Sequence, residues 1–182
     1  GIGTSTPEVP LQVPYWIGTD ASLFSGSGKF ILGSEVTTNL IFDDNEIQAR
    51  NSGTASTLYL QNEGGDVRVG GAVVHASDRR LKRNIADISY GLKDILQLRP
   101  TEYFWKGKTQ EHKSLGLIAQ EVDEVIRNVV TYDKEEDKYG VSYTELIPVL
   151  IKAIQEQEKI ISSQGSAIQS LQDEVSELKA SI

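Results

Sequence analysis

The chain has 182 residues, a formal net charge of −8, 16 glycines, and neither cysteine nor methionine. An acidic chain of this kind argues against nucleic-acid binding, and no apolar run approaches the ~18 residues that favour a membrane span. Without methionine the sequence lacks an initiator, so we expect a fragment of a longer protein. The length suits one or two small domains and a helix. We predict no cofactor.

Residues 1–76 are predicted to be β-rich, because eleven of the 16 glycines lie there and separate short β-prone runs. These runs cover residues 29–32, 39–42, 57–60 and 66–69. Their apolar residues are too few for a comfortable core in one small domain. We therefore predict an intertwined trimeric fibre segment, β-prism-like or β-helix-like, in which neighbouring chains cover the sheet edges.

Two stretches of this part resemble known fibres. Residues 1–7 with 10–13 resemble a connector of phage tail fibres and bacterial fibre-like adhesins, and residues 39–50 with 57–61 are similar to their shaft segments. The resemblance implies an extracellular fibre, on a phage tail or a bacterial surface, that attaches to a glycan or protein receptor. Four aromatic residues are candidates for stacking on a ligand or for packing between chains: Tyr15, Trp16, Phe24 and Phe30.

Residues 77–144 are predicted to form a small α/β domain, because charge rises and helical periodicity begins at Ser77. A short helix must end before Pro100. Strands are expected at residues 101–105, 115–118 and 139–143. The apolar spacing from Ile118 to Val129 predicts a longer helix between the last two of these strands.

Residues 145–182 carry a seven-residue apolar repeat with Ile147 at position a. Such a repeat predicts a left-handed coiled coil. Position g is also apolar through four heptads, which favours more than two helices, so we predict a parallel homotrimer. Pro148 is tolerated only in a first helical turn, which favours Thr144 as N-cap. The predicted trimer core consists of Ile147, Leu150, Ile154, Gln157, Ile161, Gln164, Ile168, Leu171, Val175, Leu178 and Ile182.

Several motifs of residues 77–144 occur in an order that resembles a known family. These are residues 77–85, 98–105, 115–122 and 143–146. They look like the C-terminal intramolecular chaperone domain of endosialidase-type phage tailspikes and tail fibres, which has a relative in the membrane-bound myelin regulatory factors. The resemblance implies a homotrimer that assists assembly of the fibre upstream. In many members of this family the domain is afterwards removed by self-cleavage.

The same resemblance implies a catalytic dyad of Ser77 and Lys82, with cleavage between Ala76 and Ser77. His75 lies just before this junction and is a candidate to assist proton transfer. A serine hydroxyl needs a base, and a lysine can act as one only if its pKa is lowered. Three readings remain open: self-cleavage, a chaperone retained without proteolysis, and a fragment of a membrane-tethered transcription factor. No histidine has a partner at metal-ligand spacing, so we predict no metal.

Overall fold

A computed structural model describes residues 20–23, 27–61, 65–107, 109, 111–134 and 136–181. The chain divides after Ala76 into two units, residues 1–76 and 77–182. Tyr15, Trp16, Phe24 and Ile182, together with the connector at residues 1–13, lie outside the described residues. The predictions made for them therefore stay predictions.

The first unit contains a four-stranded antiparallel meander in the order β1-β2-β3-β4. The strands are β1 Phe30–Gly33, β2 Thr38–Phe42, β3 Ile47–Asn51 and β4 Thr54–Ala55. Asp43 shapes the β2–β3 turn, since its Oδ1 accepts hydrogen bonds from the amides of Asn45 (3.0 Å) and Glu46 (2.9 Å). The predicted strands at 29–32 and 39–42 correspond to β1 and β2.

The interior of this sheet is small and partly polar. Ile41 and Ala49 are buried, and so is the side chain of Arg50. The Arg50 Nε donates to Asn39 Oδ1 at 2.9 Å, and its Nη1 donates to the Ser22 carbonyl at 3.0 Å. A buried guanidinium is tolerated only when such partners surround it.

The strands predicted at residues 57–60 and 66–69 are not formed in the single chain. Both runs are extended, but in the described part of the chain they join no sheet. Leu58, Leu60, Val67 and Val69 are exposed. The prediction was wrong for one chain, because alternating apolar residues become a strand only where another backbone pairs with them.

In the residues that the structure describes, the second unit contains two hairpins and three α-helices. Its elements are α1 Leu92–Ile95, β5 Thr101–Tyr103, β6 Ser114–Gly116, α2 Ala119–Val125, β7 Val130–Asp133, β8 Lys138–Val141 and α3 Leu146–Ala180. β5 pairs with β6 and β7 pairs with β8, both antiparallel. The core joins α2 to the start of α3 and consists of Val122, Ile126, Val129, Leu146 and Val149.

Two predicted helix boundaries need correction. The helix predicted up to Val129 ends at Val125, because Ile126 leaves the helical region (φ −131°, ψ 72°), and a 3-10 turn at Arg127–Val129 follows. The apolar spacing continues through both turns because they face one core. Thr144 is not the N-cap of α3. It lies in a 3-10 turn, Tyr143–Glu145, and the cap residue is Glu145, without a side-chain hydrogen bond.

The start of α3 explains how its proline is accommodated. Pro148 is the third residue of the helix, where an amide would have no intrahelical partner. The whole of α3 has 35 residues and is about 52 Å long at 1.5 Å per residue. None of the described helices has the length and apolar character that crossing a bilayer requires.

A substitution at Gly28 can test how tightly the first unit is packed. Its φ is +77°, and a Cβ there would lie 2.0 Å from Ile41 Cγ2, which belongs to a buried side chain. We expect Gly28→Ala to lower the free energy of unfolding by about 2–4 kcal/mol, from backbone strain and overpacking. Thermal unfolding followed by circular dichroism measures this change.

The matched control is Gly70→Ala, since a Cβ at Gly70 meets nothing within 4 Å. Equal melting curves for the two variants would contradict the packing described for Gly28 and Ile41.

Candidate functional site

The second unit begins with a short turn that brings two predicted site residues together. Ser77 and Asp78 precede a 3-10 turn at Arg79–Leu81. The Leu81 amide donates to the Asp78 carbonyl, and the Lys82 amide donates to the Arg79 carbonyl, both at 3.1 Å. This turn folds the chain back, so that Lys82 comes close to Ser77.

The side chains of Ser77 and Lys82 are in direct contact. The Nζ of Lys82 donates to the Oγ of Ser77 at 2.7 Å, and both residues are exposed. This is the distance at which a base and a nucleophile exchange a proton. A lysine can take that proton only when it is neutral, and its neutral form is favoured by desolvation or by neighbouring cations.

Asp78 and Arg80 form a second pair beside the first. Asp78 Oδ1 accepts from the Arg80 amide (2.8 Å) and from Arg80 Nε (3.1 Å), while Oδ2 accepts from Arg80 Nε (3.1 Å) and Nη2 (2.6 Å). The Arg80 guanidinium and then the Arg80 amide lower the pKa of the Asp78 carboxyl. Sequence reasoning did not single out this pair, although aspartate is a favoured N-cap residue.

Neither histidine belongs to this site in the single chain. His75 is exposed, and in the described part of the chain it makes no hydrogen bond to Ser77 or Lys82. His112 is exposed in the loop between β5 and β6. The assisting role predicted for His75 therefore stays a prediction.

One acidic cluster occurs in the first unit, at Asp20, Asp43 and Glu46. The Asp43 carboxylate accepts hydrogen bonds from the amides of Ala21 (2.7 Å), Asn45 and Glu46, and these bonds, with that of Ala21 the strongest, lower its pKa. The contacts account for Asp43 as a turn-forming residue.

A second candidate site is the exposed face of α3. Leu146, Val149 and Ala153 of this helix are buried within the unit. The described members of the predicted trimer core lie outside that buried face. Seven of them are exposed by about half or more: Ile147 53%, Ile154 64%, Ile161 52%, Ile168 55%, Leu171 60%, Val175 48% and Leu178 64%. From Gln157 to Ala180 every described residue of the helix is exposed.

The structure corrects one argument for the number of helices. Leu146 and Ala153 occupy position g of the first two heptads, and both are buried against their own domain. They are therefore not available to widen an inter-chain seam there. Instead, Ile151 at position e is 52% exposed and lies beside Ile147, so it could widen the seam in the first heptad. The apolar g residue Ile160 is free for association.

Glu156 attaches the small helix α1 to α3. Its Oε2 accepts a hydrogen bond from the amide of Leu92, the first residue of α1, at 2.8 Å. A Cβ at the preceding Gly91 would lie 2.4 Å from the same carboxylate oxygen, so a side chain there would displace the end of Glu156. A buried N-terminal amide of a helix needs such an acceptor, and the sequence pattern did not indicate which residue supplies it.

The second unit combines a small α/β domain, a serine–lysine pair at its entry and a long helix with an exposed apolar face. These are features of a self-associating assembly domain. Residues 77–131 match the family model described as chaperone of endosialidase. The match begins at Ser77 itself and includes Lys82. The resemblance predicted for the C-terminal part is thereby confirmed.

Proposed function

We propose that the chain is the distal part of a trimeric tail-fibre-like adhesin, and that residues 77–182 are the intramolecular chaperone that assembles it. The family match supports the chaperone role. The observation that carries the trimer is the apolar face of α3, which the helix's own domain leaves exposed over most of its length.

Burial of this face in a bundle of identical helices follows from its periodicity. A strict seven-residue repeat keeps one seam facing the partner helices along the whole length. Each side chain that moves from water into such a seam contributes about 1.5–3 kcal/mol. Gln157 and Gln164 at position d cost stability and define one register, as polar core residues do.

The chaperone role follows from what the first unit lacks. Its extended runs at residues 57–60 and 66–69 expose apolar side chains and have no strand partner in the described part of one chain. In the fibre, neighbouring copies would supply those partners and form the intertwined, β-prism-like shaft. A C-terminal trimer raises the effective concentration of the three segments and aligns their register before they pair.

The oligomeric state tests this proposal. We expect the full chain to have three times the mass of one chain in multi-angle light scattering. The double variant Ile161→Asp/Ile168→Asp should dissociate at micromolar concentration, because two layers of charged carboxylates would be buried at the seam.

The matched control is the double variant Ser163→Asp/Ser170→Asp, which adds the same two negative charges to the same part of α3 but outside positions a and d. It should remain trimeric. A monomeric wild-type chain, or equal dissociation of both variants, would contradict the proposed assembly.

A second activity is favoured by the 2.7 Å contact between Lys82 Nζ and Ser77 Oγ. We propose that the neutral Lys82 amine takes the Ser77 hydroxyl proton while Oγ attacks the carbonyl carbon of Ala76. The C–N bond of Ala76–Ser77 then breaks, and the ammonium of Lys82 returns the proton to the leaving amine. Water next hydrolyses the resulting ester, with Lys82 again as base, and leaves a free Ala76 carboxylate and a free Ser77 hydroxyl.

The timing of this reaction would depend on assembly. Both dyad residues are exposed in the single chain, and a solvated lysine is protonated at neutral pH. Contact with neighbouring copies would remove water from Lys82 and favour its neutral form. Cleavage would therefore follow trimer formation and separate the finished fibre from its chaperone.

Denaturing gels test self-cleavage. Wild-type protein should give bands of about 8 and 12 kDa, estimated from residue number, while Ser77→Ala and Lys82→Met should give one full-length band. Lys159→Met, an exposed lysine of α3, is the control and should cleave normally. If wild type and Ser77→Ala both stay intact in a trimeric preparation, the chaperone is retained without proteolysis.

The receptor is proposed to be a cell-surface glycan or protein bound by the fibre segment. Among the described residues, the candidate contact is Phe30. This residue is 47% exposed, and its ring centroid lies 5.8 Å from that of Phe42 across β1 and β2. An aromatic pair with one exposed ring can stack on an apolar sugar face.

Glycan-array binding by the full chain tests this contact. We expect Phe30→Ala to weaken glycan binding about threefold to tenfold, the size of one aromatic contact, with the oligomeric state unchanged. Phe104→Ala removes a similarly exposed aromatic residue of the second unit and should leave binding intact. Undiminished binding by Phe30→Ala would exclude Phe30 as a contact.

A further inference from the structure

We propose that Arg80 is a positioning residue for the serine–lysine pair, because it holds the Asp78 carboxylate and thereby keeps it from pairing with Lys82. The inference rests on the self-cleavage proposed above. It assigns a role to two residues that take no direct part in the reaction at Ser77.

The contacts on Asp78 show how completely Arg80 engages it. The guanidinium reaches both carboxylate oxygens, at 2.6–3.1 Å, and the Arg80 amide donates to one of them at 2.8 Å. A planar guanidinium suits this two-oxygen arrangement, whereas an ammonium binds as a single point charge. The carboxylate is thus fixed on the residue two positions further along the chain.

The position of Asp78 explains why this matters for Lys82. Asp78 is the neighbour of Ser77, whose Oγ receives the lysine Nζ, and it lies four residues before Lys82 across one tight turn. A released carboxylate would therefore be within reach of the flexible lysine side chain. Such an ion pair would stabilise the ammonium form and compete with Ser77 for Nζ.

Apart from Asp78, the charged residues within four positions of Lys82 in sequence are all cationic. Arg79, Arg80 and Arg83 flank it, and the described part of the chain has no ion pair between Lys82 and a carboxylate. Neighbouring cations favour the neutral amine that the reaction needs. The Asp78 carboxylate would counteract this effect by stabilising the ammonium form of Lys82. Its pairing with the Arg80 guanidinium prevents this.

Asp78 also has a structural task that limits how it can be replaced. It is the N-cap of the turn that brings Lys82 back to Ser77. Its pKa is lowered by Arg80, so the ionised cap is fully present above the ordinary carboxyl pKa and is lost only as the pH falls through the lowered value. Asparagine preserves a capping oxygen and removes the charge.

This difference gives a test with four variants of the full chain: Arg80→Ala, Arg80→Lys, Asp78→Asn, and the double variant Asp78→Asn/Arg80→Ala. Self-cleavage is followed on denaturing gels as a function of pH. We expect Arg80→Ala to slow cleavage about tenfold near neutral pH and to move the midpoint of the pH–rate profile upward by about one unit. Arg80→Lys should lie between Arg80→Ala and wild type.

The double variant separates electrostatics from folding of the turn. Asp78→Asn alone should cleave at nearly the wild-type rate, and adding it to Arg80→Ala should return the midpoint to its wild-type pH. A slower Arg80→Ala with an unmoved midpoint, or one that Asp78→Asn does not restore, would mean that Arg80 only supports the turn. That result would overturn the inference.

A second readout does not require cleavage. In a Ser77→Ala background the Lys82 side chain is titrated by NMR at its ¹³Cε, with and without Arg80→Ala. We expect the Lys82 pKa to rise when Arg80 is removed and to return when Asp78→Asn is added. If wild type never cleaves, the self-cleavage proposal fails, while this titration still decides the role of Arg80; an unchanged Lys82 pKa overturns it.

Discussion

The structure depends on helix α3, which packs one face against its own domain and leaves an apolar face exposed. One side of its first turns supplies Leu146, Val149 and Ala153 to the core of the second unit, while Ile147 and Leu150 on the other side stay exposed. The same turns are therefore a core element and, in the proposed trimer, would be the beginning of the association surface. Because both functions share one rigid helix, folding of the domain presets the orientation of the seam.

In the proposed function, the chemistry at Ser77 would depend on assembly through α3. The contact between Ser77 and Lys82 is made by a local turn and needs no other chain. The environment that would make Lys82 a base is not local, since both residues are exposed in one chain. The contact between Ser77 and Lys82 forms as the single chain folds, whereas Lys82 would lose water only when chains associate. Self-cleavage would therefore follow assembly, and no separate regulatory element is needed.

The sequence predicted features that depend on short-range rules. The position of Pro148 placed the start of α3 to within two residues. Four motifs in order, from residues 77–85 to 143–146, predicted the family whose model residues 77–131 match. The burial of Leu146 and Ala153 was missed, because a seven-residue period does not tell whether an apolar position faces a partner helix or its own domain. Glu156 was missed for a related reason, since α1 lies 64 residues away in the chain.

The sequence did not predict the polar interior of the first unit. Arg50 is buried among Asn39, Ser22 and Ser27, and nothing in its sequence neighbourhood distinguishes it from an exposed arginine. Burying a charged group costs desolvation free energy, so even a well-paired group adds little net stability. A shift in strand register would leave the group buried without its partners, which is strongly destabilising. A sheet with such an interior tolerates one register and gains little from collapse alone. In the proposed fibre, residues 77–182 would bring identical copies of this sheet together in alignment before their strands pair.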